Sequence, residues 1–311
     1  MLWARRSRDD ACGPGTPIPP HRPRWCARPS DPRALAAAAR DAGSTRWEGG
    51  LSPPAPGTIS QARREPALGG FNLTFLYLEI RRLLRNRRTV VFTLVLPVIF
   101  FLLFKRGRRG SVGSPELLAA TMIGIAVYGA MIAATSGGAM VSLERALGWS
   151  RQLRVTPLKP AAYIVIKLLT AMFLGLVSVS VVYLVGLVEG VSMPLGIWIL
   201  SGALAWVGAL VFAAFGLFMG YLLPSENVMQ IIGPILAIFA FVGGLFVPIT
   251  LLPSAIQDLA PYAPTYGVAE IARFPLLGGD FQFAWVVNVA LWTAIFGLSA
   301  GALFRRDTQR T

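Results

Sequence analysis

The sequence predicts an all-α integral membrane protein of six transmembrane helices, preceded by an interfacial amphipathic helix and a disordered N-terminal tail. Three observations predict this. Of 311 residues, 54% are hydrophobic and 14% charged, with a mean hydropathy of +0.59, which leaves too little polar surface to cover a soluble globule. Beyond Phe71, apolar stretches recur near the length of about 20 residues that a helix needs to cross hydrocarbon. The basic residues gather at the ends of those stretches, as short cytoplasmic loops require. The net charge of +14 is therefore read as membrane-directed. Nucleic-acid binding is not expected, because the arginines do not alternate with exposed aromatics.

Residues 1–68 are rich in Arg, Pro, Gly, Ala and Ser and lack sustained periodicity, so disorder is their expected state. They hold no continuous apolar core of the secretory type, and Ala34 to Ala39 is too weakly hydrophobic to insert. A solvated extension, of the kind a start site placed too far upstream would give, is favoured over a basic tether for anionic lipid or a partner. Cys12, Cys26 and His21 are too few to make a zinc site.

Residues 69–311 are expected to form the membrane domain. Its first element is FNLTFLYLEIRRLLRNRR, from Phe71 to Arg88. Leu73, Leu76, Ile80 and Leu83 fall at helical spacing, and Arg81, Arg85 and Arg88 make a separate basic stripe. An interfacial helix and a cytoplasmic extension of the first span both fit, and both put Arg81 to Arg88 inside. The spans are expected near 89–105, 117–141, 161–188, 196–223, 228–252 and 284–304. Pro97 is expected to kink the first.

Arg81 to Arg88, the loop carrying Arg145, Arg151, Arg154 and Lys159, and the end carrying Arg305, Arg306 and Arg310 fall on one side. With six spans, that places both termini in the cytoplasm of a plasma-membrane protein. Lys105, Arg106, Arg108 and Arg109 dissent, lying on the outer side, and three clusters outvote them. On that outer side residues 253–283 are too apolar for a solvated loop. Re-entrant or surface-lying short helices broken by Pro261, Pro264 and Pro275 are expected there.

Several chemistries are excluded. The only histidine lies in the tail, which removes a serine–histidine intramembrane protease. The carboxylates, including Glu144, Glu189, Glu226, Asp258, Glu270 and Asp280, fall at span ends or in loops, which disfavours an aspartyl protease or a proton relay. No Walker sequence occurs, so the chain is expected to bind no ATP and to be no enzyme. Lys167 is the one ionisable group within an apolar span, two turns beyond Pro160, and is expected to snorkel to the cytoplasmic interface. Gly216 with Gly220 and Gly297 with Gly301 form small-xxx-small pairs. Ser136, Gly137 and Gly138 mark a weak point in the second span.

The most informative stretch is Glu144 to Pro160, ERALGWSRQLRVTPLKP, a basic loop closed by proline between two long apolar segments. An aromatic or leucine anchor inside a charged rim is the anatomy of a protein interface. The positive-inside rule alone would account for its arginines, but not for Trp149, Thr156 and Pro157. Three stretches, Tyr77 to Phe104, Ser142 to Ala171 and Gly243 to Arg273, together resemble the permease subunit of a type-two ATP-binding-cassette exporter, the group containing actinobacterial drug-export permeases. The resemblance covers residues 71–311.

The resemblance implies that Phe71 to Arg88 is the connecting helix and that residues 144–160 are the coupling loop, seated on a separate ATPase. Glu144 and Arg145 match the charged pair at its start, Leu153, Arg154, Thr156 and Pro157 match its core, and Trp149 and Arg151 lie between. It further implies a dimer with a second copy of this or a related permease, two ATPase subunits that bind ATP and Mg, membrane lipids as surroundings, and export of a drug, lipid or lipid-linked glycan. A membrane scaffold that recruits a soluble partner through the same loop is the rival reading.

Overall fold

The computed structural model describes residues 73–107, 114–148, 160–247 and 249–310. The tail predicted at residues 1–68 lies outside the described residues. Among those described the fold is helical throughout: α1 (Leu73–Arg85), α2 (Arg87–Gly107), α3 (Pro115–Ala146), α4 (Pro160–Val188), α5 (Leu195–Leu222), α6 (Val228–Val242), α7 (Ser254–Leu259), α8 (Pro264–Leu277) and α9 (Phe283–Arg310), with 3-10 turns at Ile249–Leu251 and Ala260–Tyr262. Five of these, α2, α3, α4, α5 and α9, are long and apolar enough to cross a membrane.

The fifth expected span, 228–252, is shorter than predicted. Helix α6 stops at Val242, and the chain turns at Gly244 in the left-handed region with φ 68°, a backbone conformation that disfavours a side chain with Cβ. Fifteen residues rise only about 22 Å, short of the roughly 30 Å of hydrocarbon. Two side chains of α8 hold this turn. The Thr265 hydroxyl donates to the Phe239 carbonyl, and Arg273 donates to the Leu245 carbonyl. The expected short helices at 253–283 are present as α7 and α8. Pro264 opens α8, Pro261 sits in a 3-10 turn, and Pro275 lies inside the last turn of α8 without breaking it.

Helix α3 is the centre of the bundle. It packs against α2, α4, α5, α6 and α8, whereas α9 leaves most of its surface open. The sequence explains this, because α3 is built largely from Ala, Gly, Ser and Thr, which let neighbouring backbones approach. Gly138 and Gly216 face each other across α3 and α5. A Cβ on Gly138 would lie 2.6 Å from the Leu217 nitrogen, and one on Gly216 would lie 2.3 Å from the Thr135 carbonyl oxygen. The weak point predicted at Ser136–Gly138 is thus a packing notch inside an unbroken helix. Gly297 and Gly301, by contrast, meet nothing within 4 Å.

Gly216→Ala is expected to lower the melting temperature of the purified protein, since overpacking against backbone costs about 1–3 kcal/mol. Gly297→Ala, in open space, should leave it unchanged. Equal behaviour of the two in a thermal-shift series would contradict the notch.

Candidate functional site

Helix α1 arises from an amphipathic pattern and packs its Leu83 side against α4 and α2. Arg81 and Arg85 are exposed on the other side, and the side chain of Arg88 lies outside the described residues. The packed face also carries Glu79, only 7% exposed. A buried carboxylate needs a counter-charge and hydrogen bonds. Here both come from α4. The Lys167 ammonium donates to Glu79 Oε2 at 3.0 Å and to Glu144 Oε1 at 2.5 Å.

Glu144, in the last turn of α3, is the hub. Besides Lys167, it accepts a hydrogen bond from the Tyr163 hydroxyl at 2.5 Å and from Arg82 Nη1 at 3.0 Å. The Lys167 ammonium also stands 5.4 Å from the centroid of the Tyr163 ring. Two carboxylates face two cations, so the cluster is formally neutral. Lys167 and Glu144 are each 2% exposed. The expectation that Lys167 snorkels to the interface is therefore overturned. Its stem could reach water, but Glu79 and Glu144 close over it and supply inside the protein what water would have supplied.

Arg145, the next residue, turns the other way. Its Nε and Nη2 pair with both oxygens of Asp307 on α9 at 3.0 and 2.9 Å, and its Nη1 donates to the Tyr221 carbonyl at 2.9 Å at the end of α5. A fork-to-fork pair of this kind fixes orientation as well as charge. The chain then leaves α3 through Leu147 and the left-handed Gly148, φ 72°. Trp149, Arg151, Leu153, Arg154, Thr156 and Pro157 lie outside the described residues. What the structure brings together is the base of their loop: Glu144 and Arg145 on the outgoing stem, Tyr163 and Lys167 on the returning one, and α1 clamped across both by Glu79 and Arg82.

Sequence reading singled out Glu144 and Arg145 as surface charges for a partner. Both carry ties within the chain, Glu144 wholly inside it. Glu79 was not singled out, although its place three residues after Leu76 and four before Leu83 puts it on the packed face. At the far end of the bundle the unexpected cation Lys105 bonds to the Glu189 carboxylate at 2.6 Å, tying α2 to the end of α4. Among the described residues no group of three His, Cys, Asp or Glu side chains could hold a metal ion. The cluster can transmit force between three helices.

The profile of the family described as ABC-2 type transporter matches residues 73–277, from the start of α1 to the end of α8. A protein of Bacillus subtilis (strain 168) named "Putative transport permease YvfS" is 28% identical over 234 residues, which are 74% of this chain and 95% of that protein.

Lys167→Met is expected to destabilise the protein by about 3–5 kcal/mol, because it strands two buried carboxylates. Adding Glu144→Gln should recover part of that loss. A double-mutant cycle read by thermal unfolding tests this, and additive effects would show that the pair is not coupled.

Proposed function

Because this chain belongs to the ABC-2 type transporter family, we propose that it is the membrane-spanning permease subunit of an ATP-driven exporter. A separate ATPase subunit in two copies binds ATP and Mg and docks on the loop at 144–160. A second copy of this or a related permease completes the membrane dimer. Both termini and the loop face the cytoplasm of a cell-membrane protein, a reading supported by the Arg145–Asp307 pair and the Lys167–Glu79 bond, which join the end of α9 and helix α1 to the foot of the basic loop. The cargo is an amphiphile of the drug, lipid or lipid-linked glycan kind, since the spans offer apolar surface and few polar groups.

The observation that carries this reading is the buried cluster at the foot of the loop. A partner that pushes on Trp149 and Arg154 acts on a segment whose two stems and amphipathic neighbour are joined by Glu144, Lys167, Tyr163, Arg82 and Glu79. Three helices then shift together when the ATPase closes and reopens. The shift tilts the spans to open or squeeze the path, a two-state change biased by differential contact. Arg145 carries the same motion to α9 through Asp307. The scaffold reading needs no such linkage between loop and spans.

Co-expression with candidate ATPase subunits and purification through a tag on this chain should recover the partner and vanadate-sensitive ATP hydrolysis. Trp149→Ala and Arg154→Ala are each expected to cut stimulated hydrolysis and export about tenfold or more, the scale of an interface hot spot, while membrane insertion is kept. Unchanged export with both residues replaced would overturn the docking role. A folded chain that retains no ATPase would favour the scaffold.

A further inference from the structure

At the end of the bundle opposite Glu144, a cavity of about 580 Å³ opens between α3, α8 and the turn that follows α6. Its walls are mainly apolar, with Leu117, Phe246 and Ile249 among them. Arg273 of α8 also lines it and is only 5% exposed. Two backbone carbonyls hold this guanidinium in place. Nε donates to Ala120 at 3.2 Å and Nη2 donates to Leu245 at 2.8 Å. Gly124 makes room for it, since a Cβ there would stand 2.2 Å from Nη2.

Arg273 forms no ion pair among the described residues, and its Nη1 has no hydrogen-bond partner there. The small part of Arg273 that is not buried belongs to a residue lining the cavity. A guanidinium held this deep, with carbonyls as its bonded partners and donors to spare, calls for an anionic oxygen ligand. Two carboxylates face the same space and bear on its charge. Glu116, in the first turn of α3, is exposed and screened by water. Glu270 lies one turn before Arg273. Burial raises its carboxyl above the usual range, against the pull of Arg273.

Depth along α3 points to the kind of ligand. Ala120, which anchors Arg273, is five residues past the start of the helix, about 8 Å of rise. Because α3 is about 48 Å long against roughly 30 Å of hydrocarbon, this level is the boundary between headgroups and acyl chains. An apolar chamber with one fixed cation at that depth suits an amphiphile whose head is negatively charged.

We propose that this cavity is a binding site for the phosphate-type anionic head of an amphiphile, with Arg273 as its anchor and the apolar wall beside Phe246 and Ile249 receiving the start of the tail. The site belongs to one protomer and needs no ATPase, so its test stands apart from that of the transport reading.

The test titrates the purified chain, in nanodiscs of zwitterionic lipid at pH 8, with dihexanoyl phosphatidate, with dihexanoylglycerol and with inorganic phosphate. The phosphatidate should bind at least tenfold more tightly than the uncharged glyceride, and Arg273→Gln should erase that difference. Glu270→Gln, which keeps Arg273 and its carbonyl anchors, should tighten phosphatidate binding about threefold or more by removing a competing negative charge. That variant keeps the test decisive if Arg273→Gln fails to fold. Displacement by inorganic phosphate at equal potency would support a free anion as the occupant, and weak displacement would support the tailed amphiphile. No preference for phosphatidate over the glyceride, or no response to Glu270→Gln, would overturn the proposal.

Discussion

The ammonium of Lys167 holds two carboxylates that come from different helices, and the arrangement of the helices at that end of the bundle follows from it. Without Lys167, Glu79 could not lie on the packed face of α1, and Glu144 could not turn into the end of α3. Each ion is costly to bury and is tolerated because its neighbours complete it. Tyr163 and Arg82 fill the acceptor positions on Glu144 that Lys167 leaves open. The result is a neutral knot where a surface pair would have been weak and screened. Such a knot adds little net stability over an apolar core, but it discriminates sharply between one docking of α1 and any other.

The rest of the bundle uses a different means. Along α3 no charge is needed, because small side chains bring α5 close enough for backbone-to-backbone contact at Gly138 and Gly216. Charged ties are kept toward the helix ends: Arg145 with Asp307 on one side, Lys105 with Glu189 on the other, and Arg273 on the Ala120 and Leu245 carbonyls, whereas the mid-helix ties, such as Thr135 to the Phe212 carbonyl, are neutral. This division matches the solvent. Hydrocarbon lets helices approach by shape, while the interfaces permit ionic and hydrogen-bonded fastening.

Much of this was legible from residue order. Apolar length located the crossing helices to within a few residues, because few other sequences can lie in hydrocarbon. The limits of that reading are instructive. Val228 to Leu252 is apolar apart from Gln230 and Thr250, so hydropathy could not show that Gly243 and Gly244 end the helix early for α8 to pack there. Lys167 was recognised as anomalous, but its partners lie 23 and 88 positions away, and periodicity carries no information across such distances. Glu79 could have been paired with it in advance, since a carboxylate on the packed face of one helix and a lone cation in another are complementary problems. Arg273 was missed although short helices were expected across its segment, because its significance depends on carbonyls from two distant elements.

The continuity of α3 has one further consequence. Its polar fastenings at Ala120 and at Glu144 are 24 residues apart on a single unbroken helix, or about 36 Å of rise. That rod works as a calliper set slightly wider than a typical bilayer core. A thinner membrane can fit between its jaws only if the rod leans. Because the lower jaw is also the foot of the basic loop, leaning would re-aim that loop, so membrane thickness becomes a quantity to which this protein is mechanically sensitive.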